Sequence, residues 1–236
     1  MKPVIIIPAR YGSTRFPGKP LVEIKGKSMI MHVVDRATLF CPDVYVATDD
    51  DRIFSHITRA GGKAIMTSPD HPSGTDRICE AFEKIPGNNH FDVVVNLQGD
   101  EPFVEPAQIG QLVQLFRTDQ VQIGTLAKAI SNPDEINDPN RVKVVFGKDQ
   151  NALYFSRAPI PFNREGKAQK YFRHIGMYAF RPEVLKAVSK LPPCELEETE
   201  KLEQLRWMWN GYKISIGITD VENIAIDSPD DLKQLL

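Results

Sequence analysis

The feature that most constrains the fold of this chain is the run VIII at positions 4–7, in which every residue is β-branched. A continuous apolar run of this length is typical of a strand buried on both faces, as strands of parallel sheets are. Pro8 follows, and we expect it to end the strand ladder because proline has no N–H to donate. In open α/β sheets, ligands bind at the carboxyl ends of such strands. The segment after Pro8 is therefore the first candidate for a binding site.

That segment is a cationic loop. It contains Arg10, Arg15 and Lys19, and no acidic residue occurs before Glu23. Arginine suits bidentate contacts with phosphate, and lysine is a mobile point charge, so the loop is predicted to bind a ligand with several negative charges, such as a triphosphate. The loop lacks the G-x-G-x-x-G fingerprint of dinucleotide sites, and Pro20 stands where a Walker loop needs Ser or Thr. The alternative is a solvated basic loop.

Predicted strands and helices alternate through the first half of the chain. The strands are expected at 44–47, 64–66 and 93–97, and the helices at 28–40, 52–60 and 106–116. This alternation favours an α/β fold with a doubly wound, mostly parallel sheet. A single domain is predicted to cover residues 1–236.

The second half differs, because helical connections between its strands become sparse. Strands are expected at 121–127, 141–146, 152–157 and 173–178, followed by a long helix at 195–210 and a strand at 213–218. We therefore expect a small antiparallel excursion from the main, mixed sheet. Such an excursion is suited to cover a second substrate and to contribute to a dimer interface.

Carboxylates follow two of the strands predicted in the first half of the chain. Asp49, Asp50 and Asp51 come after the strand 44–47, where they either bind a metal or cap and charge the next helix. The capping interpretation is favoured because Asp is typical of helix N-termini. Asp100 follows the strand 93–97 and is expected on the same sheet edge as the first loop. Mg²⁺ prefers one or two carboxylates with phosphate oxygens, so Asp100 is a candidate ligand, the alternative being a hydrated turn.

Asp227 is a second candidate ligand, because it follows a short strand predicted at 224–226. Ser228 is predicted to cap the next helix and Pro229 to open it, so Asp227 is not needed as a cap. We predict that Asp100 and Asp227 bind the same Mg²⁺. Two carboxylates at one sheet edge repel each other, and a bound cation relieves that repulsion.

Composition excludes several classes of protein. The 236 residues are 42% apolar and 25% charged, which is ordinary for a soluble globular protein, and the net charge of −2 argues against a general nucleic-acid partner. The three cysteines have no C-x-x-C spacing, which favours reduced thiols in the cytoplasm. No apolar stretch approaches the ~18 residues that span a membrane, and the start does not fit a signal peptide. We therefore expect a cytoplasmic protein without a membrane partner.

Five motifs resemble those of the sugar cytidylyltransferases, in the same order along the chain. They are P-A-R-Y-G-S-T-R-F-P-G-K-P at 8–20, S-G-T-D-R at 73–77, N-L-Q-G-D-E-P at 96–102, E-K-L-E-Q-L-R at 200–206 and D-S-P-D-D at 227–231. The first and third are similar to the branch that uses 3-deoxy-manno-octulosonate (Kdo), and less similar to the sialate branch. Ala225 departs from the glycine-containing approach that the family has to its last motif.

The resemblance implies a nucleotidyltransferase-type fold and an enzyme that makes CMP-Kdo and pyrophosphate from CTP and Kdo, for lipopolysaccharide biosynthesis. It implies Mg²⁺ as the cofactor and a homodimer. The catalytic residues it implies are Lys19, Arg10, Asp100 and Asp227, and the metal ligands among them are Asp100 and Asp227. The implied nucleotide-binding residues are Ala9, Arg10, Ser13, Arg15, Lys19, Ser73, Gly74 and Arg77. The implied sugar-binding residues are Gln98, Arg157, His174, Tyr178, Glu203 and Gln204.

Two alternatives to this function remain open. One is the same reaction on another sugar acid, such as a sialate or an amino-substituted octulosonate. The other is a non-catalytic nucleotide sensor on the same fold. Carboxylates at two strand ends favour the enzyme, because a sensor does not need to activate a hydroxyl. Arg157 and His174 are predicted to select an acidic sugar, because its carboxylate needs a cationic or hydrogen-bonding host.

Overall fold

The computed structural model describes residues 1–12, 16–222, 226 and 231. Contacts between Cα atoms divide the chain into two compact units. The first unit consists of Met1–Gly110 with Glu222–Leu236, and the second consists of Gln111–Val221. The expectation that residues 1–236 form a single domain stays a prediction.

The first unit is built on a parallel sheet. Its strands are β1 (Pro3–Ala9), β2 (Glu23–Ile24), β3 (Lys27–Ser28), β4 (Val44–Thr48), β5 (Lys63–Met66) and β6 (Val93–Asn96). The order β6-β1-β4-β5 joins parallel neighbours, while β2 and β3 form a separate antiparallel hairpin. The run 4–7 has no exposed area, and β1 lies between β4 and β6 in the sheet. The predicted doubly wound parallel sheet is confirmed.

The expectation that Pro8 ends the ladder is wrong, because β1 continues through Pro8 to Ala9 and pairs there with β4. The N–H of Ile5 donates to Asp43 on the β4 side, so the nitrogens of Ile6 and Pro8 face β6. The pairing of β1 with β6 ends at Ile6. The missing N–H of Pro8 therefore breaks no ladder bond.

The helices of the first unit begin at recognisable caps. They are α1 (Met29–Thr38), α2 (Asp51–Arg59) and α3 (Gly74–Lys84). A side-chain oxygen of Asp50 accepts the N–H of Arg52 at 2.9 Å, which confirms the capping interpretation for Asp50. In the described part of the chain, no cluster of three or more His, Cys, Asp or Glu side chains is arranged to hold a metal ion.

The second unit contains the antiparallel excursion that the sequence predicts. The boundary between the units falls inside α4 (Pro106–Gln114). The remaining elements are β7 (Ile123–Ala129), α5 (Asp134–Asn137), β8 (Lys143–Phe146), β9 (Ala152–Ser156), β10 (Phe172–Phe180), α6 (Pro182–Val188), α7 (Glu195–Glu200), α8 (Gln204–Trp209) and β11 (Ile214–Ile218). β10 is antiparallel to β7 and β8, β8 is antiparallel to β9, and β11 is parallel to β7.

The long helix predicted at 195–210 is wrong, because α7 and α8 are separate. Lys201 has a left-handed backbone (φ 51°, ψ 47°), which ends α7. The carbonyl of Glu200 accepts the Nε–H of Arg157 at 2.7 Å, and that of Lys201 accepts a terminal N–H of Arg157 at 3.4 Å. A continuous helix would use these carbonyls for its own N–H groups. The break thus supplies the acceptors that hold Arg157.

The chain also forms short 3₁₀ turns at Lys19–Leu21, Asn88–His90 and Leu115–Arg117. Among the described residues, no helix combines the length and the apolar character needed to cross a membrane. The thiols of Cys41, Cys79 and Cys194 are buried, and none of the three forms a disulfide with another described residue.

Candidate active site

The cationic loop of the first unit meets a carboxylate that is distant in sequence. Gly18 adopts a left-handed backbone (φ 71°) and places Lys19 at the start of a 3₁₀ turn. The Lys19 ammonium lies 2.8 Å from Oδ2 of Asp100, and the side chains are only 12% and 31% exposed. The loop has no acid of its own nearby in sequence, but in space Asp100 is the partner of Lys19. These two predicted catalytic residues are brought together.

The backbone around Asp100 packs closely against the end of β1. A Cβ on Gly99 would lie 3.1 Å from the carbonyl oxygen of Pro8, so glycine is needed here for contact between two backbone segments. The carbonyl of Asp100 accepts the N–H of Ile226 at 3.0 Å. This contact anchors buried Ile226, the residue that precedes Asp227 in sequence. Asp227 itself, like Ser13 and Arg15, lies outside the described residues.

Arg10 and Ala9 stand at the carboxyl end of β1. Ala9 is 3% exposed, whereas Arg10 is exposed and its guanidinium donates to the backbone carbonyl of His71. That contact ties the end of β1 to the loop before α3. The charge of Arg10 stays open to solvent, as a contact with a phosphate group requires.

Ser73 and Gly74 form the N-terminus of α3. The Ser73 hydroxyl accepts the N–H of Asp76 at 3.1 Å and donates to the carboxylate of Asp76 at 2.6 Å. The side chain of Ser73 is therefore engaged as a helix cap. The predicted contact of this loop with a nucleotide base stays a prediction.

Arg77 is buried and pairs with protein groups, and its predicted contact with a nucleotide stays a prediction. Its side chain has no exposed area and forms an ion pair of 2.9 Å with Asp49. A second terminal nitrogen donates to the hydroxyl of Thr67 at 2.6 Å. Burial lowers the pKa of Arg77, and the charge of Asp49 acts in the opposite direction. Arg77 thus links β4, the loop after β5 and α3 from inside the unit.

Sequence reasoning missed the anchor of the loop that precedes α3. Glu80 accepts the N–H of Ser68 at 2.9 Å, pairs with Lys84 at 2.6 Å and contacts Nε2 of His71. Burial alone would raise the pKa of Glu80, but the hydrogen bonds from Lys84, Ser68 and His71 together lower it to about 2. Only the spacing of Glu80 and Lys84 was visible in the sequence, as an i,i+4 pair.

Gln98, predicted to bind sugar, is half-buried after β6.

In the second unit, Arg157 is held by backbone carbonyls. Besides Glu200 and Lys201, its guanidinium donates to the carbonyl of Pro139 at 2.8 Å. Within the described residues, no carboxylate forms an ion pair with this guanidinium. The carboxylate of Glu200 instead accepts from the Ser156 hydroxyl and the backbone N–H of Arg157. A half-buried cation with orienting contacts and no counter-ion is suited to receive an anion.

His174 lies among aromatic side chains of the second unit. Its ring packs edge-on against Phe155 and tilted against Tyr178, with centroids 5.1 Å away in each case. Burial lowers the pKa of His174 to about 3, so the ring is neutral at physiological pH. The positive charge that the prediction allowed for His174 is therefore absent, and hydrogen bonding is the role left to it.

Several buried polar atoms of the second unit lack a hydrogen-bond partner. In the part of the chain that the structure describes, they are Oη of Tyr178, Nε2 of Gln204 and Nε1 of Trp207. Trp207 packs edge-on against Tyr178 at 5.0 Å, and the charge of Glu203 helps burial to raise the pKa of Tyr178 well above its usual value. Unpartnered buried groups are rare and indicate a ligand or an ordered water. Trp207 was not predicted as a site residue, because tryptophan on a helix usually indicates core.

A doubly wound parallel sheet with a lysine–carboxylate pair beyond the carboxyl ends of neighbouring strands is typical of α/β enzymes that bind nucleotides at this edge. The family model described as cytidylyltransferase matches residues 4–214. The chain belongs to the cytidylyltransferase family and is a nucleotidyltransferase.

Relatives resemble the chain over nearly its full length. The chain is 51% identical to the 3-deoxy-manno-octulosonate cytidylyltransferase of Bacteroides thetaiotaomicron, over 99% of this chain and 96% of that protein. It is 47% identical to the 8-amino-3,8-dideoxy-manno-octulosonate cytidylyltransferase of Shewanella sp. (strain ANA-3), over 99% and 97% of the two chains.

One solved structure is also similar over the whole chain. It is a CMP:2-keto-3-deoxy-manno-octonic acid synthetase complexed with CTP, with a TM-score of 0.93 and 44% identity. The match covers 100% of this chain and 97% of that one. The 4-diphosphocytidyl-2C-methyl-D-erythritol synthase of Anaerococcus prevotii has a TM-score of 0.63 at 13% identity and shares the fold.

Proposed function

We propose that this enzyme transfers CMP from CTP to the anomeric hydroxyl of Kdo, giving CMP-Kdo and pyrophosphate. The observation that carries the proposal is the 51% identity, over 99% of the chain, to a 3-deoxy-manno-octulosonate cytidylyltransferase. In the proposed reaction, the 2-hydroxyl oxygen of Kdo bonds to the α-phosphorus as the bond from that phosphorus to the β-phosphate oxygen breaks. The hydroxyl proton is released and the electron pair of the broken bond leaves with pyrophosphate.

The first unit would hold the triphosphate. Arg10 keeps an exposed guanidinium, and Lys19 supplies an ammonium that Asp100 orients at 2.8 Å. Both groups are charge-assisted donors suited to phosphate oxygens. Their contribution to rate is positioning and neutralisation of the charge that develops on the leaving pyrophosphate. Arg15 and Ser13, in the same segment, are proposed nucleotide contacts.

Magnesium is the proposed cofactor, with Asp100 and Asp227 as its protein ligands. Mg²⁺ in phosphoryl-transfer sites takes one or two carboxylates and completes its shell with phosphate oxygens and water. A partly exposed carboxylate such as Asp100 fits that donor set, and a cage of many protein ligands is not required. The backbone contact between Asp100 and Ile226, the neighbour of Asp227, supports the pairing of these two ligands. When bound, magnesium neutralises phosphate charge and favours the ionised form of a coordinated hydroxyl.

The second unit supplies the proposed contacts to Kdo. Arg157 would bind the sugar carboxylate, because backbone carbonyls orient it and no described carboxylate neutralises it. Tyr178 and Gln204 would bind hydroxyl groups, because their buried polar atoms lack partners. Glu203, which acts electrostatically on Tyr178, and His174 are proposed to belong to the same set. Gln98, in the first unit, is also proposed to contact the sugar.

Pyrophosphate release tests the function directly. The purified enzyme with CTP and Mg²⁺ should release pyrophosphate with Kdo, and much less with the 8-amino-3,8-dideoxy analogue or a sialate. The amino analogue is the closest rival because a relative named for it is 47% identical to this chain. Faster pyrophosphate release with the analogue would show that the analogue, and not Kdo, is the substrate. CTP binding without turnover on any sugar acid would favour the nucleotide sensor.

We further propose that the enzyme is a cytoplasmic homodimer that serves lipopolysaccharide biosynthesis. The proposal rests on the family resemblance, and buried cysteines without disulfides among the described residues are compatible with a reducing compartment. Light scattering should give twice the chain mass of 26.6 kDa, and a mass of one chain would contradict the dimer.

A further inference from the structure

A β-bulge interrupts β10 between the two aromatic residues of the proposed sugar site. Ile175 pairs with Leu126 and Tyr178 pairs with Thr125, so Gly176 and Met177 are extra residues on the β10 side. In an unbroken strand, residues four apart are separated by about 13 Å. Here the step from His174 to Tyr178 spans only two residues of β7, from Ala127 to Thr125, and the two ring centroids are 5.1 Å from each other. The bulge therefore redirects these side chains, as bulges near binding sites do.

Thr125 of β7 holds the bulge from the neighbouring strand. It has no exposed area, and its hydroxyl lies 2.7 Å from the carbonyl of Met177 and 3.1 Å from that of Ile175. The same hydroxyl lies 2.9 Å from Nε2 of His174. One buried oxygen thus joins the bulge to the histidine ring.

The donors of this cluster can be assigned from its chemistry. Carbonyl oxygens only accept, and a threonine hydroxyl has one hydrogen, which is directed to Met177 and Ile175. The hydroxyl must then accept from His174, so Nε2 carries the ring hydrogen. With a neutral ring, Nδ1 has a free lone pair and is an acceptor. Among the described residues, no hydrogen bond is made to Nδ1 of His174.

The surroundings of His174 agree with a neutral ring. Phe155 and Tyr178 pack against it with ring centroids 5.1 Å away, and burial is the cause of its low pKa. The nearby carboxylate of Glu203 acts on Tyr178, whose phenol stays neutral. An acceptor nitrogen repels a carboxylate but binds a hydroxyl hydrogen.

We propose that Thr125 is a positioning residue that fixes His174 as the Nε2–H tautomer, so that Nδ1 accepts a hydrogen bond from a hydroxyl group of the sugar acid. The inference rests on the proposed function and deepens it, because it assigns His174 to a sugar hydroxyl and leaves the carboxylate to Arg157. Without the Thr125 hydroxyl, the ring hydrogen of His174 should no longer be fixed on Nε2, and sugar binding should weaken. It should leave CTP binding unchanged.

The tautomer is tested without catalysis. Two-bond ¹H–¹⁵N spectra of the ¹⁵N-histidine-labelled enzyme should show a ring with Nε2 protonated, Nδ1 unprotonated and no titration between pH 5 and 8. This signal should be absent from His174→Asn. A His174 ring that is charged at pH 7, or that carries its hydrogen on Nδ1, would overturn the proposal, whether or not the enzyme uses Kdo.

Kinetics then test the consequence. Thr125→Val should raise the KM for Kdo about tenfold, the effect of losing one hydrogen bond, with KM for CTP within about twofold of the parent. Thr125→Ser, which keeps the hydroxyl, should restore both the KM for Kdo and the tautomer. Equal kinetics for the valine and serine variants would overturn the proposal, as would an unchanged tautomer in Thr125→Val. If the valine variant does not fold, the tautomer in the parent spectrum and the KM for Kdo of the serine variant still test the proposal. Lack of turnover with Kdo in the parent enzyme would overturn the proposed function and leave the tautomer result intact.

Discussion

Replacing Arg77 with methionine removes the fully buried partner of an ion pair and keeps a long apolar side chain in its place. The change deletes the 2.9 Å contact with Asp49 and the 2.6 Å hydrogen bond to Thr67. The charged guanidinium is the donor in both bonds, and a hydrogen bond to a charged group contributes about 2 kcal/mol. Asp49 is left 18% exposed and without its counter-ion. We therefore expect Arg77→Met to lower the free energy of unfolding by about 3–4 kcal/mol, in the range for broken buried pairs.

The chain contains a matched control in Arg52→Met. Arg52 also pairs with an aspartate of the 49–51 group, at 2.6 Å from Asp50, but its side chain is 59% exposed. Solvent screens such a pair, so its loss should cost less than about 1 kcal/mol. Urea unfolding at pH 7 and 25 °C, followed by far-UV circular dichroism, measures both variants against the parent.

Equal destabilisation by the two substitutions would refute the assignment of Arg77 as a buried structural residue. Asp49→Asn completes a double-mutant cycle, in which a coupling energy near zero would also refute it. A direct contact with the nucleotide base predicts the opposite pattern. In that case Arg77→Met would lose CTP affinity while its free energy of unfolding stayed near that of the parent.

Four further predictions concern the site and its supporting contacts. Lys19→Ala should lower kcat and kcat/KM for CTP together, measured by pyrophosphate release, whereas Lys27→Ala, which breaks an exposed pair with Asp35, should not. Arg157→Ala should raise the KM for Kdo with CTP affinity unchanged in calorimetry, and equal losses for both substrates would contradict a carboxylate contact. Asp100→Asn and Asp227→Asn should each lose most turnover, and the double variant little more; additive losses, or an unchanged Mg²⁺ requirement, would exclude a shared metal. The pKa of Glu80 is lowered from 4.5 to about 2, so the stabilising contribution of its carboxylate is complete above pH 4.5 and is lost as the pH falls toward 2. The difference in free energy of unfolding between the parent and Glu80→Gln should therefore shrink over that interval. Glu83→Gln, at an exposed position, is the control.

Elements with strong local signals were predictable from the sequence. The run 4–7 is a buried parallel strand because β-branched residues without polar interruption suit a strand covered on both faces. Asp50 caps α2 and Ser73 caps α3, since a cap and the N–H it accepts lie within three residues. The position of Asp100 after a buried strand was likewise enough to expect it near the cationic loop, and Lys19 contacts it.

Other features depended on partners that are distant in sequence. Nothing around Lys201 predicts a helix break, and the carbonyls that it leaves open accept hydrogen bonds from Arg157, 43 and 44 positions away. The burial of Arg77 depends on Asp49, 28 positions earlier, and the tautomer of His174 depends on Thr125, 49 positions earlier. Hydrophobic period and capping report only on neighbours along the chain. The tertiary structure decides which buried charge meets which counter-charge, because that pairing is set by where packed strands and helices bring side chains together.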